Sequence, residues 1–169
     1  MKPLKLTMRA FGPYKGEEII DFTKLENHRL FVISGKTGAG KTTIFDGIAF
    51  ALYGSGSGSD RKDQKSLRSQ FADDHVHTAV ELLFEVHGKT YRVFRQLPHV
   101  KKGRKTATGE DYAFFEIGPN GEELKVVERQ KAKEINTKIE EIIGLTYDQF
   151  NQIIMLPQGE FRKLLTSQT

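Results

Sequence analysis

Gly35-Lys36-Thr37-Gly38-Ala39-Gly40-Lys41-Thr42 is the stretch that decides the fold. Its spacing, Gly35, four residues, then Gly40-Lys41-Thr42, is the full pattern of a phosphate-binding loop. Glycines at 35, 38 and 40 let the backbone enter the left-handed region and keep side chains from between amide and phosphate. Successive N–H groups then face one concavity that accepts anionic oxygens. A helix opening near Lys41 brings its positive end to the same point. The candidate nucleotide-binding residues are therefore Ser34, Gly35, Lys36, Thr37, Gly38, Ala39, Gly40, Lys41, Thr42 and Thr43. In this reading Lys41 reaches the β- and γ-phosphates of ATP, the Thr42 hydroxyl is a Mg2+ ligand, and Thr43 touches the α-phosphate. Lys36 either adds charge near the γ-phosphate or faces solvent, and solvent is the preferred reading.

The flanks support this. Leu30-Phe31-Val32-Ile33 is a continuous apolar run, as expected of a strand covered on both faces. Thr42 to Tyr53 reads as a helix, with Ile44, Phe45, Ile48, Ala49 and Leu52 at helical spacing and Gly54 as its stop. Upstream, Leu4, Leu6 and Met8 alternate with polar neighbours, Gly12-Pro13 breaks the pattern, and Glu18 to Phe22 reads as a second strand. Residues 3–22 should thus form a hairpin-type pair. Downstream, residues 54–63 are Gly/Ser-rich and expected to be a mobile surface loop.

Val80, Leu82, Phe84 and Val86 share a strand face, and His87-Gly88-Lys89 turns into a partner strand, Tyr91 to Arg95. A further hairpin, Tyr112 to Ile117 with Leu124 to Val127, surrounds Pro119-Asn120-Gly121. Ala132, Ile135, Ile139, Ile142 and Ile143 mark an amphipathic helix closed by Gly144. Thr146 with Gln149 is a capping-box pattern opening a short helical turn. Gln152 to Leu156 reads as a strand ended by Pro157, and a new helix starts at Glu160. This order predicts an α/β nucleotide-binding core with an added antiparallel β-subdomain, not an all-parallel doubly wound sheet.

Composition bounds the function class. The 169 residues suit one domain, and at 37% hydrophobic they can fill a core. No run approaches the roughly 18 apolar residues of a membrane span, and Met1-Lys2-Pro3-Leu4 opens no signal sequence. A cytoplasmic protein with no membrane partner is expected. The absence of cysteine excludes disulfides and thiolate metal sites. A net charge of +4 permits nucleic-acid contact without establishing it. Lys101, Lys102, Arg104 and Lys105 form a basic loop between two strands: either a contact for DNA phosphates or a solvated hairpin tip. His75, His77 and His87 lack metal-ligand spacing and are read as surface histidines.

Hydrolysis in this fold class needs a carboxylate holding magnesium, usually an Asp that ends an apolar strand. After residue 43 no apolar strand run ends that way. A second motif is Phe150-Asn151-Gln152-Ile153-Ile154-Met155-Leu156-Pro157-Gln158-Gly159-Glu160-Phe161. Gln158 in the turn after Pro157 is either a simple turn residue or a group whose oxygen approaches a bound magnesium and its water.

The phosphate loop, the gap to Gly144-Leu145-Thr146 and the Leu156-Pro157-Gln158-Gly159-Glu160-Phe161 run together resemble the bacterial SbcC family. Its relatives are Rad50 and the SMC proteins, all with ABC-type ATPase heads. The resemblance covers the chain from Lys5 through Phe161, and the Leu-Pro-Gln-Gly-Glu-Phe run is its specific part. It implies a split head. The N-terminal half carries the phosphate loop and Q-loop, and a long antiparallel coiled coil separates it from a C-terminal half with the magnesium carboxylates. Gln158 becomes the Q-loop glutamine and, with Lys41, a catalytic residue; Gln158 and Thr42 become the magnesium contacts. The helix from residue 160 becomes the coiled-coil root. The expected partners are the C-terminal half of the same head, a second head in an ATP-sandwiched homodimer, an SbcD/Mre11-type nuclease, and double-stranded DNA.

Gly12 and Lys36 depart from the family, since many Rad50 phosphate loops have Asn where this chain has Lys36. Many Rad50 proteins carry a nucleotide-contacting arginine after the first strand, where this chain has Gly12, with Arg9 as a possible substitute. Leu67-Arg68-Ser69 is similar to an SMC segment that contacts nucleotide or DNA, although a surface role for Arg68 is the plainer reading. The rival classes are an SMC-like chromosome-organising head without a nuclease, and a self-contained P-loop enzyme such as a small kinase.

Overall fold

The structure is a computed structural model that describes residues 1–25, 33–56 and 64–153. Six antiparallel strands form one sheet: β1 (Lys2–Arg9), β2 (Glu17–Asp21), β3 (Ala79–Val86), β4 (Lys89–Gln96), β5 (Asp111–Ile117) and β6 (Glu123–Lys125). Their spatial order is β2-β1-β3-β4-β5-β6. Among the described residues three α-helices accompany them: α1 (Lys41–Tyr53), α2 (Ala132–Ile143) and α3 (Tyr147–Ile153). The expected hairpins all form. The β3–β4 turn takes left-handed angles at both His87 (φ 51) and Gly88 (φ 77), the backbone a two-residue hairpin requires.

The alternation seen in sequence becomes one buried sheet face. Leu6 and Met8, then Val80, Leu82 and Phe84, then Val93 and Phe114 are all fully buried. Phe84, Tyr91 and Phe114 stack in a row across β3, β4 and β5, with ring centroids 5.6 and 5.8 Å apart. Such aromatic pairs contribute about 0.5–1.5 kcal/mol each beyond area burial. The other face mixes apolar residues with ion pairs: Arg92 of β4 pairs with Glu81 of β3 and Glu123 of β6 at 3.3 and 3.2 Å.

Helix α1 packs on β1, β3 and β4 and meets α2 and α3. Its approach to β1 depends on Gly47, where an added Cβ would lie 2.7 Å from Met8 Sδ. The C-terminal end is closed group by group. Gly54, at φ 75, donates its N–H to Phe50 O. The next carbonyls have no helical partner. Ala51 O and Leu52 O accept from Arg95 Nε and Nη2 at 2.7 and 2.8 Å, and Tyr53 O accepts from Asn136 Nδ2 at 3.3 Å. Arg95 Nη2 also donates to Asn136 Oδ1. Arg95 is 1% exposed, and burial draws its guanidinium down to about 10. A buried cation is tolerated here because it sits at the negative end of a helix with its Nε and Nη2 donors engaged.

One element is corrected. The expected strand from Gln152 does not form at its start, because Gln152 and Ile153 are the last residues of α3. The capping box commits the chain to helix: Thr146 N–H donates to Gln149 Oε1 at 3.0 Å, and Gln149 N–H to Thr146 Oγ1 at 3.4 Å. Phe150 then turns inward onto Tyr53, centroids 5.3 Å apart. A short apolar run does not by itself separate strand from buried helix.

Candidate phosphate-binding site

The loop ahead of α1 adopts the backbone its glycines allow. Gly38 (φ 86) and Gly40 (φ 82) are left-handed. Ala39 N–H closes a turn onto Lys36 O at 3.1 Å, and Thr43 N–H onto Gly40 O at 3.0 Å. Gly40 is the N-cap of α1, and no side chain caps the first turn, so the helix presents amides rather than a built-in acceptor. In front of it lies a cavity of about 410 Å3 lined by Pro13, Thr37, Gly38, Gly40, Lys41, Thr42 and Thr43. Lys41 Nζ folds back over the loop and donates to Gly35 O (2.7 Å) and Lys36 O (2.9 Å). Ser34, Lys36, Thr37 and Thr42 are exposed, while Thr43 is buried. A cation, an uncapped helix start and an exposed hydroxyl thus meet at one cavity, and this donor set is chemically suited to a polyphosphate with a hard divalent cation.

The cavity has a second wall that the motif does not reveal. The turn after β1 brings Pro13 to its edge, and Tyr14 donates its hydroxyl to Gly40 O at 3.3 Å. Burial, then Glu18, holds the Tyr14 phenol above its ordinary value, so it remains a donor. A Cβ at Gly40 would lie 2.4 Å from Tyr14 Oη. Gly12 (φ 56) is equally constrained, since its Cβ would meet Thr43 Cγ2 at 2.6 Å. The chain therefore has no room for an arginine at position 12. Arg9, the substitute weighed above, pairs instead with Glu17 at 3.0 Å, both side chains about half exposed. Only the Gly-Pro dipeptide hinted at this turn in the sequence, and nothing there pointed Tyr14 toward the loop.

Arg68 lies away from this cavity. Its backbone bridges to Phe11, and its guanidinium donates to Val76 O (2.6 Å), Asp73 O (3.0 Å) and Thr78 Oγ1 (3.3 Å). Those bonds hold the connection between Arg68 and β3. Lys101, Lys102, Arg104 and Lys105 cluster on a hairpin between β4 and β5, with Lys101 part-buried and the other three exposed. Of the histidines, His75 and His87 are exposed and His77 is half-buried. His77 is held below its ordinary value, first by burial and then by Lys101 and His99.

Several readings lie outside the described residues: the strand up to Val32, most of the Gly/Ser stretch, Gln158 and its motif, and the helix from residue 160. Among the described residues no helix is long and apolar enough to cross a membrane.

Comparison with known proteins places the chain among ATPase-type relatives. The chain is 41% identical over 167 residues to the C subunit of the nuclease SbcCD from Staphylococcus aureus strain MRSA252, and equally so to that of strain Newman. Each match covers 99% of this chain but 16% of the relative, so the chain spans about a sixth of their length. The model of the AAA domain family matches residues 5–169. With the phosphate loop at the head of α1 and a family match over nearly every residue, the chain belongs to the AAA domain family.

Proposed function

We propose that this chain is the ATP-binding half of a split ABC-type head, which dimerises on ATP and couples hydrolysis to DNA-end or hairpin processing by a partner nuclease. The observation that carries the reading is the cavity at the uncapped start of α1, where Lys41 and Thr42 meet. The similarity to nuclease components over 99% of the chain supplies the larger context.

The residues divide the work. Loop amides and the α1 N-terminus bind and orient the phosphates. Lys41 exchanges its bonds to Gly35 O and Lys36 O for phosphate oxygens, a charge-assisted replacement for neutral acceptors. Thr42 and Gln158 would hold Mg2+, which when bound neutralises charge developing on the transferred phosphoryl group. Pro13 and Tyr14 close the side of the site. The magnesium carboxylates belong to the C-terminal half of the head, and Glu160 onward roots the coiled coil. The partners are a second head, an SbcD/Mre11-type nuclease and double-stranded DNA, in the cytoplasm. In this reading Arg68 serves the fold rather than the nucleotide.

The test is ATP hydrolysis by this chain alone and mixed with the C-terminal half, with Lys41→Ala as control. Turnover only in the mixture, lost in Lys41→Ala, supports the split head. Full turnover by the chain alone would favour a self-contained P-loop enzyme. Co-purification with a metallonuclease separates the reading from a chromosome-organising head.

A further inference from the structure

The connection from β4 to β5 is a second hairpin built on the sheet. Its neck is a backbone pair, with His99 N–H donating to Thr108 O at 3.0 Å and Thr108 N–H to His99 O at 3.1 Å. Its tip is a turn closed by Arg104 N–H on Lys101 O, with Gly103 at φ 80. Lys101, Lys102, Arg104 and Lys105 surround that turn, and among the described residues none of the four side chains forms an ion pair. A tip so loaded with cations repels itself and needs an external hold to keep one orientation.

His77, from another segment, packs its ring edge-on against His99 at the neck, centroids 6.3 Å apart, and the hydrogen-bonded hold from that segment is one carboxylate. Asp74 Oδ1 lies 2.9 Å from His99 Nε2 at the neck, and Asp74 Oδ2 accepts the backbone N–H of Lys102 at 2.9 Å. It takes a ring and an amide and leaves the cationic heads alone. Those bonds, the one to His99 first, hold the Asp74 carboxyl below its ordinary range. The segment carrying Asp74 is itself tied down, since Arg68 binds the carbonyls of Asp73 and Val76 on either side. Ser69 N–H donates to Ala10 O and Gly12 N–H to Leu67 O, which joins this segment to the turn that walls the phosphate cavity.

An anion beside a polyanion-binding surface is electrostatically unfavourable. Its place here makes sense if geometry outweighs charge. We propose that Asp74 is a clasp that fixes the basic hairpin in the orientation in which its cations lie along the phosphate backbone of duplex DNA. This rests on the reading that the hairpin contacts DNA, and it adds the residue that positions the contact.

Charge and geometry predict opposite signs for one substitution. Asp74→Ala removes a negative charge, so charge alone predicts tighter duplex binding. The clasp predicts weaker binding, because a loosened tip engages fewer phosphates at once. In the full chain, binding of a short fluorescein-labelled DNA duplex should weaken about three- to tenfold in Asp74→Ala, and the slope of log affinity against log salt should flatten by about one unit. Asp74→Asn keeps an acceptor for Lys102 N–H and should fall between the two. Unchanged or tighter binding by Asp74→Ala, with Lys102→Glu/Arg104→Glu weakening it, overturns the clasp and leaves the DNA contact standing. If Lys102→Glu/Arg104→Glu itself binds like the wild type, the DNA contact is wrong and the clasp with it.

Discussion

Tyr14 and Gly40 are bonded beside the cavity at the start of α1, phenol hydroxyl to carbonyl at 3.3 Å. The residue that opens α1 is thereby fixed from outside the motif. Gly40 answers to two constraints, a left-handed φ of 82 and a Cβ that would sit 2.4 Å from Tyr14 Oη. Gly40→Ala should cost about 1–3 kcal/mol of stability, read as the shift in urea midpoint, and should weaken binding of a fluorescent ATP analogue. Adding Tyr14→Ala relieves only the clash, so the double variant should recover part of the loss. Full recovery would mean that backbone strain at Gly40 is negligible.

Gly12→Arg tests the departure from the family pattern. The new Cβ would push on Thr43 Cγ2, at 2.6 Å, in a backbone at φ 56. The added cation should therefore fail to improve ATP-analogue affinity, and thermal unfolding should move several degrees lower. Tighter nucleotide binding at unchanged melting temperature would show that the turn yields readily.

Arg95 should be among the costliest side chains to remove. Arg95→Met strips donors from Ala51 O, Leu52 O and Asn136 Oδ1 at a buried helix end. Hydrogen bonds to charged groups are worth about 1.5–3 kcal/mol each, with little of that regained where water is excluded. A loss of about 3 kcal/mol or more in urea unfolding is expected. Arg95→Lys keeps the charge but not the fork, and should fall between.

Acidification should act through His77. Burial first, then the nearby Lys101 and His99, hold it below its ordinary value against a backbone hydrogen bond at Leu97 that raises it, and its buried Nδ1 has no hydrogen-bond partner among the described residues. The folded state binds the proton less readily than the unfolded chain does, whose value is near 6.5. The stability is fully present above that value and is lost as pH falls through it. Asp74, lowered by its bonds to His99 and Lys102 N–H, acts in a separate window: its contribution holds above 3.8 and fails as pH falls further. His77→Asn should flatten the stability profile between about pH 7 and 5 and leave the more acidic limb intact. An unaltered profile would assign that slope to another group.

Much of this was legible. Hairpins follow from period-two alternation, and α1 from Gly35 to Gly54, because local chemistry dictates both. Thr146 and Gln149 even announced the helix that their neighbours, read as strand, obscured. The partners of each element were not legible. Arg95 stands on the same strand face as Tyr91 and Val93, so its burial followed from register, but its acceptors lie 43 and 44 residues away. Tyr14 is likewise 26 residues from Gly40. Periodicity reports which face a residue occupies and carries no information on which distant group meets it there.

The strand order bears on assembly. Strands β3 to β6 are sequential neighbours; β3–β4 and β5–β6 close over short turns, and β4–β5 over the basic hairpin of residues 97–110. The β1–β3 ladder instead joins Lys2–Arg9 to Ala79–Val86, with the loop, α1 and everything between them inside the closing segment. Closing a longer loop costs more chain entropy before any contact repays it. The hairpins should therefore form early and the phosphate cavity only when β1 docks. A nucleotide that binds the formed cavity and not the unfolded chain then favours the finished molecule.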